Sequence, residues 1–249
     1  MNCPTFIQYL GKLTGCISPV LLIAFILPAQ LLAQPSPVKI SLKFPSGDSR
    51  GTPASTIGGG RRGVSCINLA TGKPSVTALM PKRNNKSLTI SDSPTLYFYV
   101  PQTTATTGEF ILRNDKNNDI YNISFELPQK PGIIHIKIPP TAKLKTGKAY
   151  KWYFLLVCDP EDRSSDEYTE GIIERTTISS SLNKYFQQAK PLKQAEIYAK
   201  NDLWPETITK VAQLRTQQPK EWEELLKSVG LEVIAKEPLL ECCQPNPQP

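Results

Sequence analysis

Eight short stretches between residues 75 and 175 alternate apolar and polar side chains, and no other feature narrows the possible folds as much. In 95–100, Leu96, Phe98 and Val100 fall on one side and Tyr97 and Tyr99 on the other. Tyr121, Ile123, Phe125 and Leu127 alternate with polar neighbours, as do Ile134, Ile136 and Ile138. A period of two places successive side chains on opposite faces of a strand. The spacing predicts strands near 75–80, 86–90, 95–100, 108–114, 120–127, 132–138, 149–157 and 167–175. Turn residues separate them at short intervals, which favours antiparallel pairing. Many short strands of this kind form a sandwich.

The stretch 149–157 has Tyr150, Trp152, Phe154 and Leu156 on one face and Tyr153, Leu155 and Val157 on the other. Both faces are apolar, so both are expected to be covered. Tyr150 follows Leu144-Lys145-Thr146-Gly147-Lys148-Ala149, a setting like the corner where a tyrosine bonds back to nearby backbone in immunoglobulin-like and fibronectin-like sandwiches. From about Leu182 the period becomes helical. A helix is expected over 192–201, a second from Pro205 to Gln217, and a third from Pro219 to Gly230, with Trp222, Leu225, Leu226 and Val229 as its stripe. This tail is the expected cover for the second face of 149–157. The expected fold class is mainly β with an α tail: an antiparallel immunoglobulin-like or fibronectin-like β-sandwich over 66–178, followed by a short helical region over 179–243.

Residues 20–27 read VLLIAFIL, an unbroken apolar run ended by Pro28 and Gln30. A signal peptide needs a core of ~7–15 apolar residues, whereas a membrane span needs ~20. Residues 1–33 are therefore read as a signal peptide cut after Ala33, with an uncleaved anchor as the alternative. Leu13-Thr14-Gly15-Cys16 spells a lipoprotein box but precedes the apolar run, so it is read as chance. Residues 34–65 are a Pro/Gly-rich leader, and 244–249 a loose end. Gly58-Gly59-Gly60 lacks the Lys-Ser/Thr that a phosphate loop requires. Cleavage leaves Cys66, Cys158, Cys242 and Cys243. An even count in an exported chain implies disulfides. Three pairings are possible. The favoured one bonds Cys66 and Cys158 each to one member of the C-terminal pair, because a Cys242–Cys243 bridge is an unusual vicinal ring.

Net charge is +7 over the whole chain, but the basic residues are scattered. Even the densest group, Lys143, Lys145, Lys148 and Lys151, is broken by apolar residues, which argues against nucleic acid as a partner. His135 is the single histidine. It lies on the polar side of its strand beside Lys137 and is read as solvated. Asp115, Asn117 and Asp119, with Glu126, have the spacing of a calcium loop, but Ile120 stands where the sharp turn needs Gly; a hairpin turn is the preferred reading. The acidic stretch 158–167 connects two strands. Asp159, Glu161, Asp162, Arg163 and Asp166 are expected to form an ordered contact loop, with Arg163 paired to a nearby acid. Tyr97 and Tyr99 are the expected exposed contact aromatics. No catalytic constellation and no cofactor are indicated.

Thr77-Ala78-Leu79-Met80-Pro81, Ser93-Pro94-Thr95-Leu96-Tyr97-Phe98-Tyr99-Val100-Pro101, Gly108-Glu109-Phe110, Lys151-Trp152-Tyr153-Phe154 and Cys158-Asp159-Pro160-Glu161-Asp162-Arg163-Ser164 occur in order ahead of the Trp204 helical tail and terminal Cys pair. This set resembles the cyanobacterial domain of unknown function numbered 928, over roughly 66–243. The resemblance implies an exported or envelope protein and transfers no catalytic residue or cofactor. The expected role is an exported, non-catalytic envelope or extracellular binding protein whose partner is an envelope protein or glycan, with no membrane span once the signal is removed. The alternatives are a carboxylate hydrolase acting on polysaccharide, using Asp159, Glu161 or Asp162, and a calcium-stabilised structural module.

Overall fold

The computed structural model describes residues 42–45, 65–68, 72–81 and 86–243. The expected signal peptide, most of the expected leader, the glycine run and the end beyond 243 lie outside these residues. Eight strands form two sheets. β1 (Thr77–Ala78), β3 (Thr95–Val100) and β6 (Gly132–Lys137) make a three-stranded sheet in the order β1-β3-β6. β2 (Lys86–Thr89), β4 (Thr107–Arg113), β5 (Asp119–Glu126), β7 (Lys148–Val157) and β8 (Glu167–Arg175) make a five-stranded sheet in the order β2-β8-β7-β4-β5. All pairs are antiparallel except β2 with β8, which is parallel and corrects the fully antiparallel expectation. That pairing is non-local, between strands about eighty residues apart in the chain, and alternation within a strand carries no information about its partner's direction.

The two sheets meet through the faces that the alternation selects. Phe98 of β3 stacks on Phe154 of β7 at 4.4 Å between ring centres and meets the edge of Trp152 at 5.5 Å. Phe110, Leu112 and Phe125 complete this layer, all without solvent exposure. Burial of such a side chain stabilises by about 1.5–3 kcal/mol, so this aromatic layer is the main cohesive element between the sheets. Gly108 is required here: a Cβ would lie 2.6 Å from the Phe125 ring. The expected tyrosine corner is present, with the Lys145 backbone N–H donating to the Tyr150 hydroxyl at 2.8 Å. The arrangement is a sandwich of three and five strands, and the immunoglobulin-like comparison rests on this corner alone.

Four helices follow: α1 (Ser180–Gln188), α2 (Pro191–Lys200), α3 (Trp204–Leu214) and α4 (Pro219–Ser228). Proline occupies the first or second position of α2, α3 and α4, where its missing N–H costs nothing and its fixed φ suits a helix. Trp204 anchors α3 by donating its indole N–H to the Leu79 carbonyl at 2.7 Å and by meeting Phe44 edge-on. α3 packs on β2 and β3. The tail therefore covers the outer face of the three-stranded sheet. The outer face of β7 keeps Tyr153 and Leu155 half-exposed, which corrects the expected placement of the tail. Tyr97 and Tyr99 are corrected with it: they are 7% and 2% exposed and lie beneath the tail instead of facing solvent. An alternating strand looks the same in sequence whether its polar-edged face meets water or a helix.

After α4 the chain returns to the sheet. Trp222 donates to the Ala235 carbonyl, and Arg215, stacked over the Trp222 ring, donates to the Glu237 carbonyl at 2.6 Å. The next residues pair with the edge of β6: Ile133 donates to Pro238 and Leu240 donates to Ile133, at 2.7 and 2.8 Å. Gly132 permits this approach, because a Cβ there would fall 2.5 Å from Leu240 and 2.9 Å from the Pro238 carbonyl oxygen. The disulfides pair Cys66 with Cys158 and Cys242 with Cys243. This overturns the expected bridges from sheet to tail. Residues 65–68 run beside the 103–104 backbone and present Cys66 to the end of β7, while Cys242 and Cys243 sit past the β6 edge.

Candidate functional site

The register of β3 against β6 sets Thr95 opposite Lys137 and Tyr97 opposite His135, with all four on the outer face. Directly opposed residues have their Cβ atoms about 4.5–5.5 Å apart, and the Tyr97 and His135 rings lie 5.7 Å apart at 34°. His135 is half-buried, not solvated as expected. α3 lies over this face. Ile208 and Val211 point into the core, whereas Thr209, Ala212 and Gln213, at positions i, i+3 and i+4, overlook Tyr97. Thr209 hydrogen-bonds the Tyr97 phenol, and burial pushes that phenol up from its ordinary value. Leu239, Leu240 and Glu241, held on the β6 edge, supply a third wall.

These elements enclose a groove of about 520 Å³. The Ser93 hydroxyl is committed to the Ile138 carbonyl, at 2.6 Å, and Thr209 to Tyr97, but much of the remaining polar lining is uncommitted. Among the described residues, the side chains of Thr95, Lys137, Gln213 and Glu241 take no hydrogen bond or ion pair within the protein. A second cavity of about 140 Å³ adjoins it, sharing Ser93, Thr95 and Thr209, and adds Lys210, Tyr198 and Glu206. One Glu206 oxygen accepts from the Thr89 hydroxyl at 2.6 Å and from the backbone N–H of Ile90 and Ser91 at 2.9 and 3.2 Å. The other oxygen, Oε2, is buried without a partner among the described residues. Burial raises the Glu206 carboxyl from its usual range, against the lowering effect of those donors.

The 158–167 loop is built differently. Arg163 grips Glu109 with both terminal nitrogens, at 2.7 and 3.3 Å, and donates from Nε to Asp166 at 2.7 Å. Asp166 also accepts from the Cys158 N–H, Asp159 from the Glu161 N–H, and Asp162 from the N–H and hydroxyl of Ser164. The Ser164 bonds hold the Asp162 carboxyl below its usual value. Arg163 thus orders the loop through acids, as the sequence suggests. Asp159, Glu161 and Asp162 are exposed and line neither of these two cavities.

The calcium spacing is a hairpin. Asn114 accepts from the N–H of Lys116 and Asn118, and Asn117 takes a left-handed φ of 60°. Asp119 is paired with Arg113 at 2.6 Å and Asp115 with Lys148 at 3.2 Å. Glu126 closes β5, which Asp119 opens. At about 3.3 Å per residue the two stand roughly 23 Å apart. One ion cannot bridge them, so Asp115, Asn117 and Asp119 do not form the twelve-residue calcium loop with Glu126 that their spacing suggests.

The family model described as Domain of Unknown Function (DUF928) matches residues 57–239, a span that contains both sheets, all four helices and most of the groove. The chain belongs to the DUF928 family. No curated protein matches it. Of the groove residues, sequence reading singled out only Tyr97, His135 and Lys137. Thr95, Thr209, Gln213, Glu241 and Glu206 come from three separate parts of the chain and share no spacing that could have joined them. Among the described residues, no helix is long and apolar enough to cross a membrane.

Proposed function

We propose that this DUF928 protein is an exported, non-catalytic binding protein of the cell envelope or exterior, and that its ligand is a glycan held in the groove between α3, β3 and β6. The observation that carries the reading is the uncommitted polar lining of that groove. Hydroxyl, amide, imidazole and charged side chains without internal partners offer the mixed donors and acceptors that a polyhydroxylated chain needs, beside the face of Tyr97. The Cys66–Cys158 bridge supports the exported part of the reading, since such bonds persist in oxidising compartments.

The test is a calorimetric and NMR titration of the protein with soluble envelope oligosaccharides, on wild type and on Gln213→Trp, which fills the groove from an α3 position. Wild type should bind with Kd on the order of 10 µM to 1 mM. Gln213→Trp should weaken this at least about tenfold, by roughly 1.4 kcal/mol, without lowering the melting temperature. The oligosaccharides should be recovered intact. No shift at Thr95, His135 or Gln213 with any oligosaccharide sinks the binding reading, and new reducing ends sink the non-catalytic part of it.

A further inference from the structure

The charges around the groove have an unusual balance. Lys137 and Glu241 face the larger cavity, and Lys210 and Glu206 face the adjoining one. Among the described residues, none of the four is in an ion pair, although each cavity holds one of each sign. Elsewhere on the same molecule opposite charges do close on each other, as in Lys86–Glu174, Lys151–Glu170 and Lys193–Glu196. Glu206 is held by three donors on one oxygen, while Oε2 keeps unspent lone pairs in a dry setting. Leaving a buried polar atom unsatisfied is costly, and more so when it is charged.

Each simple ligand class leaves part of this set unanswered. A neutral sugar chain would take water from Lys137, Lys210 and Glu241 and pair none of the four. A polyanion would answer Lys137 and Lys210 but run into Glu206 and Glu241, and a polycation would do the reverse. A chain that carries both signs answers all four. We propose that the groove selects a zwitterionic glycan, a sugar chain bearing ammonium and carboxylate groups together, with an ammonium directed to Glu206 and a carboxylate to Lys137. The inference rests on the groove being the glycan site. It names the ligand chemistry within it.

Four soluble probes of similar length separate the possibilities: an N-acetylglucosamine oligomer (neutral), an oligogalacturonate (anionic), a chitosan oligomer (cationic) and an oligomer of alternating glucosamine and glucuronate (zwitterionic). Calorimetry at 0.15 M salt on wild type, Glu206→Gln and Lys137→Gln gives the comparison. Gln at 206 keeps an acceptor for Thr89, Ile90 and Ser91, and equal melting temperatures verify that both variants are folded. The zwitterionic probe should bind wild type at least about tenfold tighter than the other three, because it alone forms charge-assisted hydrogen bonds to both signs. Each substitution should weaken it about five- to tenfold and remove most of the preference. Equal affinity for the neutral oligomer overturns this inference and leaves the glycan reading standing. Binding led by the oligogalacturonate overturns it in favour of general attraction to a chain of net charge +7. Binding of none of the four overturns both.

Discussion

The 158–167 loop and the α3–β3–β6 groove are the two polar regions of the molecule that draw attention, and they are opposites. The loop is dense in charge, contiguous in sequence and exposed, and its principal charged side chains are committed to one another. The groove is sparse in charge, assembled from residues as far apart as Thr95 and Glu241, and half-enclosed, and its Thr95, Lys137, Gln213 and Glu241 side chains are uncommitted among the described residues. Charge density in a sequence is therefore a poor guide to a site. Arg163, Asp166 and Glu109 use their bonding capacity to hold a turn in place, and a side chain already satisfied has little left for a ligand. The groove has few charges but keeps more of its capacity.

Three substitutions probe that contrast in stability. The largest effect should come from the covalent anchor of the loop. Cys66→Ser with Cys158→Ser opens a link between residues 92 apart, and loop-closure entropy puts the loss at about 4 kcal/mol. In thermal melts this is a fall of roughly 10 °C for a domain of this size. A fall of a degree or less would mean that the hydrogen bonds alone set the loop. An intermediate effect is expected at the groove wall. Gly132→Ala drives a methyl group into Leu240 and the Pro238 carbonyl, and overpacking costs about 1–3 kcal/mol. Hydrogen exchange at the Leu240 amide should accelerate far more than at strands β4 or β7; uniform acceleration would show that the segment and the sheet unfold together. The smallest effect belongs to Arg163→Ala. Arg163 itself is half-exposed, and the buried Asp166 carboxylate keeps the Cys158 N–H, so the change should cost about 1 kcal/mol and leave glycan titrations untouched. A loss of binding at Arg163 would break the contrast outright.

What the sequence made legible follows from periodicity. The eight strands lie where the alternation sets them, mostly within a residue or two at each end, because burial of one face is a local property of the chain. Strand β1 is the shortfall: only Thr77 and Ala78 pair, out of a predicted six residues. Pro191, Pro205 and Pro219 mark the starts of three helices for an equally local reason, and α1 lacks such a mark. The Tyr150 corner was readable because its partner is five residues away. Everything that depended on distant partners was harder to see. Cys66 meets Cys158 only because 65–68 runs beside 103–104. Tyr97 and Tyr99 are buried only because α3 and the returning tail arrive on top of them. The groove residues become neighbours only through the β3–β6 register and the seating of α3. Lys137 and Thr95 carry no mark in sequence that sets them apart from other solvated strand positions.

The edge pairing between Ile133 and residues 238–240 has a consequence for the order in which the protein becomes competent. Chains are made from the N-terminus, so β3 and β6 exist well before the segment that walls their outer face. A chain ending near residue 230 would lack Leu231, Ile234, Ala235 and Leu240, which share one buried core with both sheets, and with them the third wall of the groove. Core and groove are thus finished by the same last stretch of chain, so that a C-terminal truncation should be read in the stability of the sandwich and in the shape of the groove together.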